Sequence, residues 1–199
     1  MKLLVATSNA GKLVEIREIV AGIPLELVSL RDLRLPPPDE TGETFHANAA
    51  QKATICARQS GLWTLADDSG LCVEALAGAP GVHSARYAPT DEARRAKLLQ
   101  ALRAVPDGER GAYFFCAVAL SPPDGERVLR AEGRVDGSIA FEERGKKGFG
   151  YDPIFLPVET PGKTLAELDS AEKNRLSHRG RALQRLRPVL ERLARDGTV

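Results

Sequence analysis

Residues 2–12 read Lys2-Leu3-Leu4-Val5-Ala6-Thr7-Ser8-Asn9-Ala10-Gly11-Lys12. The apolar run of residues 2–6 is short and unbroken, which predicts a buried strand. Residues 7–11 are turn formers, and Leu13, Ile16 and Val20 then recur at helical spacing over residues 12–21. The chain therefore opens strand, polar loop, helix, as an α/β fold does.

Working outward, Gly22-Ile23-Pro24 separates this unit from a second predicted strand at 25–30, and Pro36-Pro37-Pro38 forces an extended loop. A helix is predicted over 44–58, with Phe45, Ala49, Lys52, Ala53 and Cys56 on one side; a lysine inside that apolar stripe is unusual. A strand at 63–66 is expected to end in an Asp67-Asp68-Ser69-Gly70 turn and to resume at 71–73. Residues 91–104 are amphipathic. The runs at 112–120 and 127–135 flank Ser121-Pro122-Pro123-Asp124-Gly125, a hairpin signal. A glycine-rich loop at 145–150 precedes Ile154-Phe155. The closing helix, expected from about 181, carries Leu183, Leu186, Leu190 and Leu193, and Pro188 should kink it or lie near its start. Early alternation, a central hairpin and a final helix predict α/β architecture with a mixed sheet.

Composition narrows the function classes. A chain of 199 residues, 43% hydrophobic and 28% charged, fits one soluble globular domain and excludes disorder. Lys+Arg 28 against Asp+Glu 27 leaves a net charge of +1, so no overall field favours nucleic acid or a membrane surface. The apolar stretch 112–120 is half a membrane span, and the N-terminal run is too short for a secretory signal, so a cytoplasmic chain is expected. Cys56, Cys72 and Cys116 form no C-x-x-C pair and read as small buried hydrophobes. His46, His83 and His178 show no zinc spacing.

Four segments carry possible chemistry. Residues 7–12 lie between a strand and a helix N-terminus, where free N–H groups, the helix dipole and Lys12 suit a phosphate, although this is no Walker loop. Asp67-Asp68 places two carboxylates side by side, and Asp39-Glu40 is a second acidic pair. Mg²⁺ takes one or two carboxylates together with substrate phosphates. In Gly148-Phe149-Gly150-Tyr151-Asp152-Pro153 glycines flank an aromatic ring suited to stacking on a planar base. Lys173, His178 and Arg179 form a basic cluster able to read base carbonyls or phosphates.

Eight segments in register over most of the chain resemble the inosine triphosphate pyrophosphatase family. They are residues 7–12, 40–42, Asn48-Ala49 with Lys52-Ala53, 66–71, 78–82, 84–87, 148–155 and 177–183; Ser8 stands where some members carry Gly. The resemblance implies an elongated mixed sheet flanked by helices, two lobes with an active-site cleft, and a homodimer. It implies Mg²⁺-dependent hydrolysis of ITP, dITP and XTP to monophosphate and pyrophosphate. It further implies that Thr7, Ser8, Asn9, Ala10, Gly11 and Lys12 hold the triphosphate, and that Glu40 and Asp68 serve the metal. Asp68 would also be the general base, a role that Asp67 or a metal-bound hydroxide could fill instead. Lys52 would stabilise the leaving group and Ser69 would contact substrate. Phe149 would stack on the base beside Gly150, Tyr151 and Asp152, and Lys173, His178 and Arg179 would complete recognition. A pyrophosphatase for modified pyrimidine triphosphates and a non-catalytic nucleotide sensor or RNA-binding module are the alternatives.

Overall fold

The computed structural model describes residues 1–199. Six strands and five α-helices follow in the order β1 (Lys2–Val5), α1 (Ala10–Ile19), β2 (Glu26–Ser29), α2 (Phe45–Ser60), β3 (Trp63–Val73), α3 (Asp91–Ala101), β4 (Gly111–Ser121), β5 (Leu129–Ile139), β6 (Phe155–Pro157), α4 (Ser170–Leu176) and α5 (His178–Asp196). The sheet order is β2-β1-β3-β4-β5-β6. β1 runs parallel to β2 and β3, whereas β5 and β6 are antiparallel, so the sheet is mixed, as expected.

The chain divides into two compact units. The first comprises Met1–Asp68, Cys116–Gly133 and Arg179–Val199; the second comprises Ser69–Phe115 and Arg134–His178. In the first unit β1 lies between two parallel neighbours, and Leu3, Leu4 and Val5 have no exposed surface. Its core joins Leu3, Val5 and Leu65 to Ile16 and Ile19 of α1 and to Leu183, Leu186, Leu190 and Leu193 of α5. The 3, 4, 3 spacing puts those four leucines on one stripe, so burying them fixes the rotation of α5. Pro188 lies inside α5 on its exposed side, where water can satisfy the Gln184 carbonyl left without an N–H partner.

The second unit has its own core around Leu71, Leu98, Leu102, Phe114, Ile139, Ile154 and Phe155. Buried Arg110 closes one end of it by donating to the carbonyls of Leu102, Ile139 and Ala140. All three cysteines are buried and unpaired, in keeping with the sequence reading.

Two local expectations need correction. Residues 67–70 are not a turn: β3 runs unbroken through Asp67, Asp68, Ser69 and Gly70. Turn propensity was a local argument, and tertiary partners for both carboxylates override it. The segment before the closing helix contains a separate short helix, α4, capped by Asp169, whose side chain accepts from Glu172 N–H at 2.7 Å.

Gly137 provides a test of the β5–β6 pairing. It sits opposite Pro157, and a Cβ there would lie 2.2 Å from the Leu156 carbonyl oxygen and 2.7 Å from the Phe155 ring. Backbone cannot yield as a flexible side chain can. Gly137→Ala should therefore destabilise the protein by about 1–3 kcal/mol in urea titration. A loss under a few tenths would mean that β6 is free to shift.

Candidate active site

The site is built outward from the loop after β1. Asn9 caps α1, its side-chain oxygen accepting from Lys12 N–H at 3.0 Å, while Asn9 N–H donates to Thr7 Oγ1 at 3.2 Å. The N–H groups of Ala10 and Gly11 belong to the first helical turn, which offers them no carbonyl partner. With the helix dipole they form a cradle for an anion. Thr7, Ser8, Asn9 and Ala10 also line a cavity of about 350 Å³ together with Ser29, Leu30 and Leu35.

Next to this loop lies a buried carboxylate. Asp67 is 1% exposed, and its Oδ2 receives Lys12 Nζ at 3.0 Å and Arg179 Nη2 at 3.1 Å. Arg179 Nη1 pairs with Glu15 of α1. Burial alone would push the Asp67 pKa up. Lys12, Arg179 and Lys52 outweigh it and hold the carboxyl well below the usual carboxylate range, so Asp67 is a fixed anion. The same exchange runs the other way at Arg179: burial opposes its charge, and Asp67 and Glu15 more than restore it. Cys116, with Sγ 3.9 Å from Asp67 Oδ2, has its thiol pushed up to about 12 by burial and the neighbouring carboxylate, so it stays protonated.

Asp68 has different surroundings. Its Oδ2 accepts from Asn48 Nδ2 at 2.9 Å, and Lys52 Nζ stands 3.9 Å from Oδ1. Lys52 also pairs with Glu40. Here burial dominates and raises the pKa, with Glu40 pushing the same way and Lys52 and Lys12 only partly opposing. Adjacent carboxylates are thus driven apart in acidity, one permanently ionised and one more willing to take a proton.

In the second unit the glycine loop surrounds Asp152. Lys173 is buried and pairs with Asp152, and Phe149 N–H donates to Asp152 Oδ2 at 2.8 Å. Lys173 Nζ lies 4.9 Å from the centre of the partly exposed Phe149 ring. Gly148 has φ +74°, and a Cβ there would sit 2.1 Å from Asp152 Oδ2, so only glycine fits. The His178 ring stacks on Phe114, 4.7 Å between centres and 8° from parallel.

The structure thus groups Glu40, Lys52 and Asp68 near Lys12 in the first unit, and Phe149, Asp152 and Lys173 in the second. Ser69 follows Asp68 on β3, in the second unit. Arg179 is 2% exposed and in the first unit, its nitrogens bonded to Asp67 and Glu15, whereas His178 belongs to the second unit. Tyr151 is a core residue whose hydroxyl donates to the Ser84 carbonyl at 2.9 Å. Two residues were missed. Glu15 lies three residues after Lys12 on α1. Asn48 lies four before Lys52 on α2 and also accepts from Gly42 N–H at 2.8 Å. Helical spacing from the two suspicious lysines would have found both.

The chain matches known proteins over nearly its whole length. The model of the Ham1 family matches residues 3–189. The dITP/XTP pyrophosphatase of Geobacter sulfurreducens is 50% identical over 193 residues, covering 95% of this chain and 96% of that protein. That of an Anaeromyxobacter species is 44% identical over 229 residues, covering 99% and 100%. The structure of a HAM1 protein from Coxiella burnetii superposes with a TM-score of 0.84 at 44% identity, covering 96% of this chain and 98% of that one.

The buried network predicts a stability effect. Arg179→Met removes the guanidinium that pairs with both Glu15 and Asp67, which should cost about 3–5 kcal/mol. Arg134→Met breaks an exposed pair with Asp136 and should cost no more than about 1 kcal/mol. Equal losses in urea unfolding would contradict the structural weight given to Arg179.

Proposed function

The chain belongs to the Ham1 family, and from that premise we propose how its residues perform the reaction. The protein is a pyrophosphate-releasing hydrolase of non-canonical purine nucleoside triphosphates, ITP, dITP and XTP. The observation that carries our reading is the opposed environment of Asp67 and Asp68. Asp67 is an ionised anchor, spent on Lys12 and Arg179, that holds Lys12 beside the helix N-terminus. Asp68 faces Asn48 and Lys52 instead, and because it would also serve the metal it acts as base through its placement rather than its basicity.

Thr7, Ser8, Asn9 and the first-turn amides of Ala10 and Gly11 bind the phosphates, with Lys12 as point charge. Asp68 accepts a proton from the attacking water, whose oxygen bonds to the α-phosphorus. The α–β anhydride bond breaks, and the electron pair leaves with pyrophosphate. Lys12 and Lys52 offset the charge that develops there. Ser69 contacts the substrate beside the base. Phe149 stacks on the purine, with Gly150, Asp152, Lys173 and His178 around it. Tyr151 and Arg179 act indirectly, as a core support and as the holder of Asp67.

The donor set fits Mg²⁺. Glu40 and Asp68 are hard oxygen ligands that already need the Lys52 ammonium between them. No group of three or more acidic, histidine or cysteine side chains forms a complete cage, so substrate oxygens would complete the shell. When bound, the ion supplies neutralisation of phosphate charge. No helix is long and apolar enough to cross a membrane; action on the free nucleotide pool of the cytoplasm and a homodimeric state complete the proposal.

Asp68→Asn should lower kcat for ITP by roughly 10²–10⁴-fold, the worth of a positioned general base, while nucleotide binding persists. Pyrophosphate release with Mg²⁺ across ITP, dITP, XTP, ATP and dTTP is the measurement. Turnover within about tenfold of wild type, near 1.4 kcal/mol of barrier, would move the base elsewhere. Preference for dTTP would overturn the substrate class.

A further inference from the structure

The residue after Phe149 is held from a helix that carries none of the site segments. α3 starts at Asp91 behind the Thr90 cap. Asp91 Oδ2 accepts from Gly150 N–H at 2.8 Å, and Arg95 Nη1, one turn further along, donates to the Gly150 carbonyl at 2.9 Å. Both polar groups of the residue after Phe149 are therefore held by an i, i+4 pair on one helix face. The same guanidinium reaches the chain before the glycine loop, with Arg95 Nε 2.9 Å from Glu143 Oε1. The carboxylate is oriented in turn, because Arg94 Nη1 lies 2.6 Å from Asp91 Oδ1 while Arg94 Nε donates to the Ala88 carbonyl at 2.8 Å. Arg95 is 8% exposed, a buried charge that needs such partners.

The glycines on either side of Phe149 give its backbone no side-chain packing of their own. Gly150 has φ +60°, and nothing lies within 4 Å of where its Cβ would be, so no side-chain packing restrains it. Asp152 holds the Phe149 backbone and Lys173 lies at its ring, and the backbone clamp from α3 restrains the residue that follows. We propose that Asp91 and Arg95 are positioning residues for purine recognition: by fixing Gly150 from both sides they hold the Phe149 ring in its stacking orientation before substrate arrives. Ordering a loop in advance removes that entropy from the binding step. The inference rests on the reading of Phe149 as the base platform.

A double-mutant cycle tests it. Kinetics with ITP are measured for Asp91→Ala, Phe149→Ala and the double variant, with inorganic tripolyphosphate as an inhibitor that has phosphates and no base. Asp91→Ala should raise KM for ITP roughly tenfold, the size of one hydrogen bond to a charged group. It should change kcat much less and leave tripolyphosphate inhibition unaltered. In the Phe149→Ala background it should add almost nothing. Asp91→Asn, which keeps an oxygen for the Gly150 N–H, should restore most of the affinity. Arg95→Met carries the same cycle if Asp91→Ala does not fold. Full multiplication of the two effects, or weakened tripolyphosphate binding, overturns the proposal. So does an unchanged KM in Asp91→Ala when Phe149→Ala raises it. An unchanged KM in Phe149→Ala itself removes the platform reading beneath it.

Discussion

The pairing of buried Asp67 with Lys12 and Arg179 is the constraint around which the first unit is organised. A carboxylate this far from water is unfavourable by several kcal/mol unless opposite charges and hydrogen bonds compensate. Its two cations come from distant parts of the chain, Lys12 at the start of α1 and Arg179 in the first turn of α5, 112 residues away in sequence. Satisfying one side chain on β3 therefore fixes the N-terminal ends of two helices. Glu15 extends the chain of charges along α1 and completes the partners of Arg179. Such networks give little net stability over an apolar core of equal volume, but they tolerate few alternative arrangements. A loop that must offer its amides in one geometry benefits from that restriction.

The same constraint explains why Asp67 and Asp68 can be neighbours. Side chains alternate across a strand, so a continuous β3 sends the two carboxylates to opposite faces of the sheet. Asp67 goes with Leu65 toward α1 and α5; Asp68 meets Asn48 and Lys52 of α2. A turn at these residues would have brought the charges onto one side. Strand geometry gives each carboxylate its own hydrogen-bond partners, Lys12 and Arg179 for Asp67 and Asn48 for Asp68, while the Lys12 and Lys52 charges act on both.

What was legible in the sequence follows the range of the forces involved. The strand, loop and helix of residues 2–19 could be read because periodicity and turn chemistry are local. The leucine stripe of α5 was legible for the same reason. The Lys52 in an apolar stripe signalled a charged cluster, since burial of an ammonium needs carboxylates, here Glu40 and Asp68. The β3 segment was misread because Asp-Asp-Ser-Gly has strong turn propensity, and the ion pairs that override it join residues far apart in sequence. The partners of Arg179 were illegible for a related reason. Its neighbour His178 stacks on Phe114 in the second unit, whereas Arg179 belongs to the first, and one residue of separation gives no hint of that division.

That division bears on selectivity. The first unit, in the proposed reading, meets phosphates, which every nucleoside triphosphate shares, so its contacts contribute equally to ITP and ATP. A stacked ring is nearly as indifferent, because each base has a π-face. Discrimination must then come from directional donors that distinguish a 6-oxo from a 6-amino purine. With Arg179 committed to Asp67 and Glu15, those donors are sought in the second unit, at Lys173 and His178. Lys173 is held by Asp152 and His178 by its stack on Phe114, so neither can easily turn away from a mismatched amino group. A buried donor left facing another donor loses about 1–3 kcal/mol, which corresponds to a preference of roughly five- to 150-fold. In that proposed reading, rigid placement of a few donors is enough to separate deaminated purines from adenine without any contribution from the phosphate site.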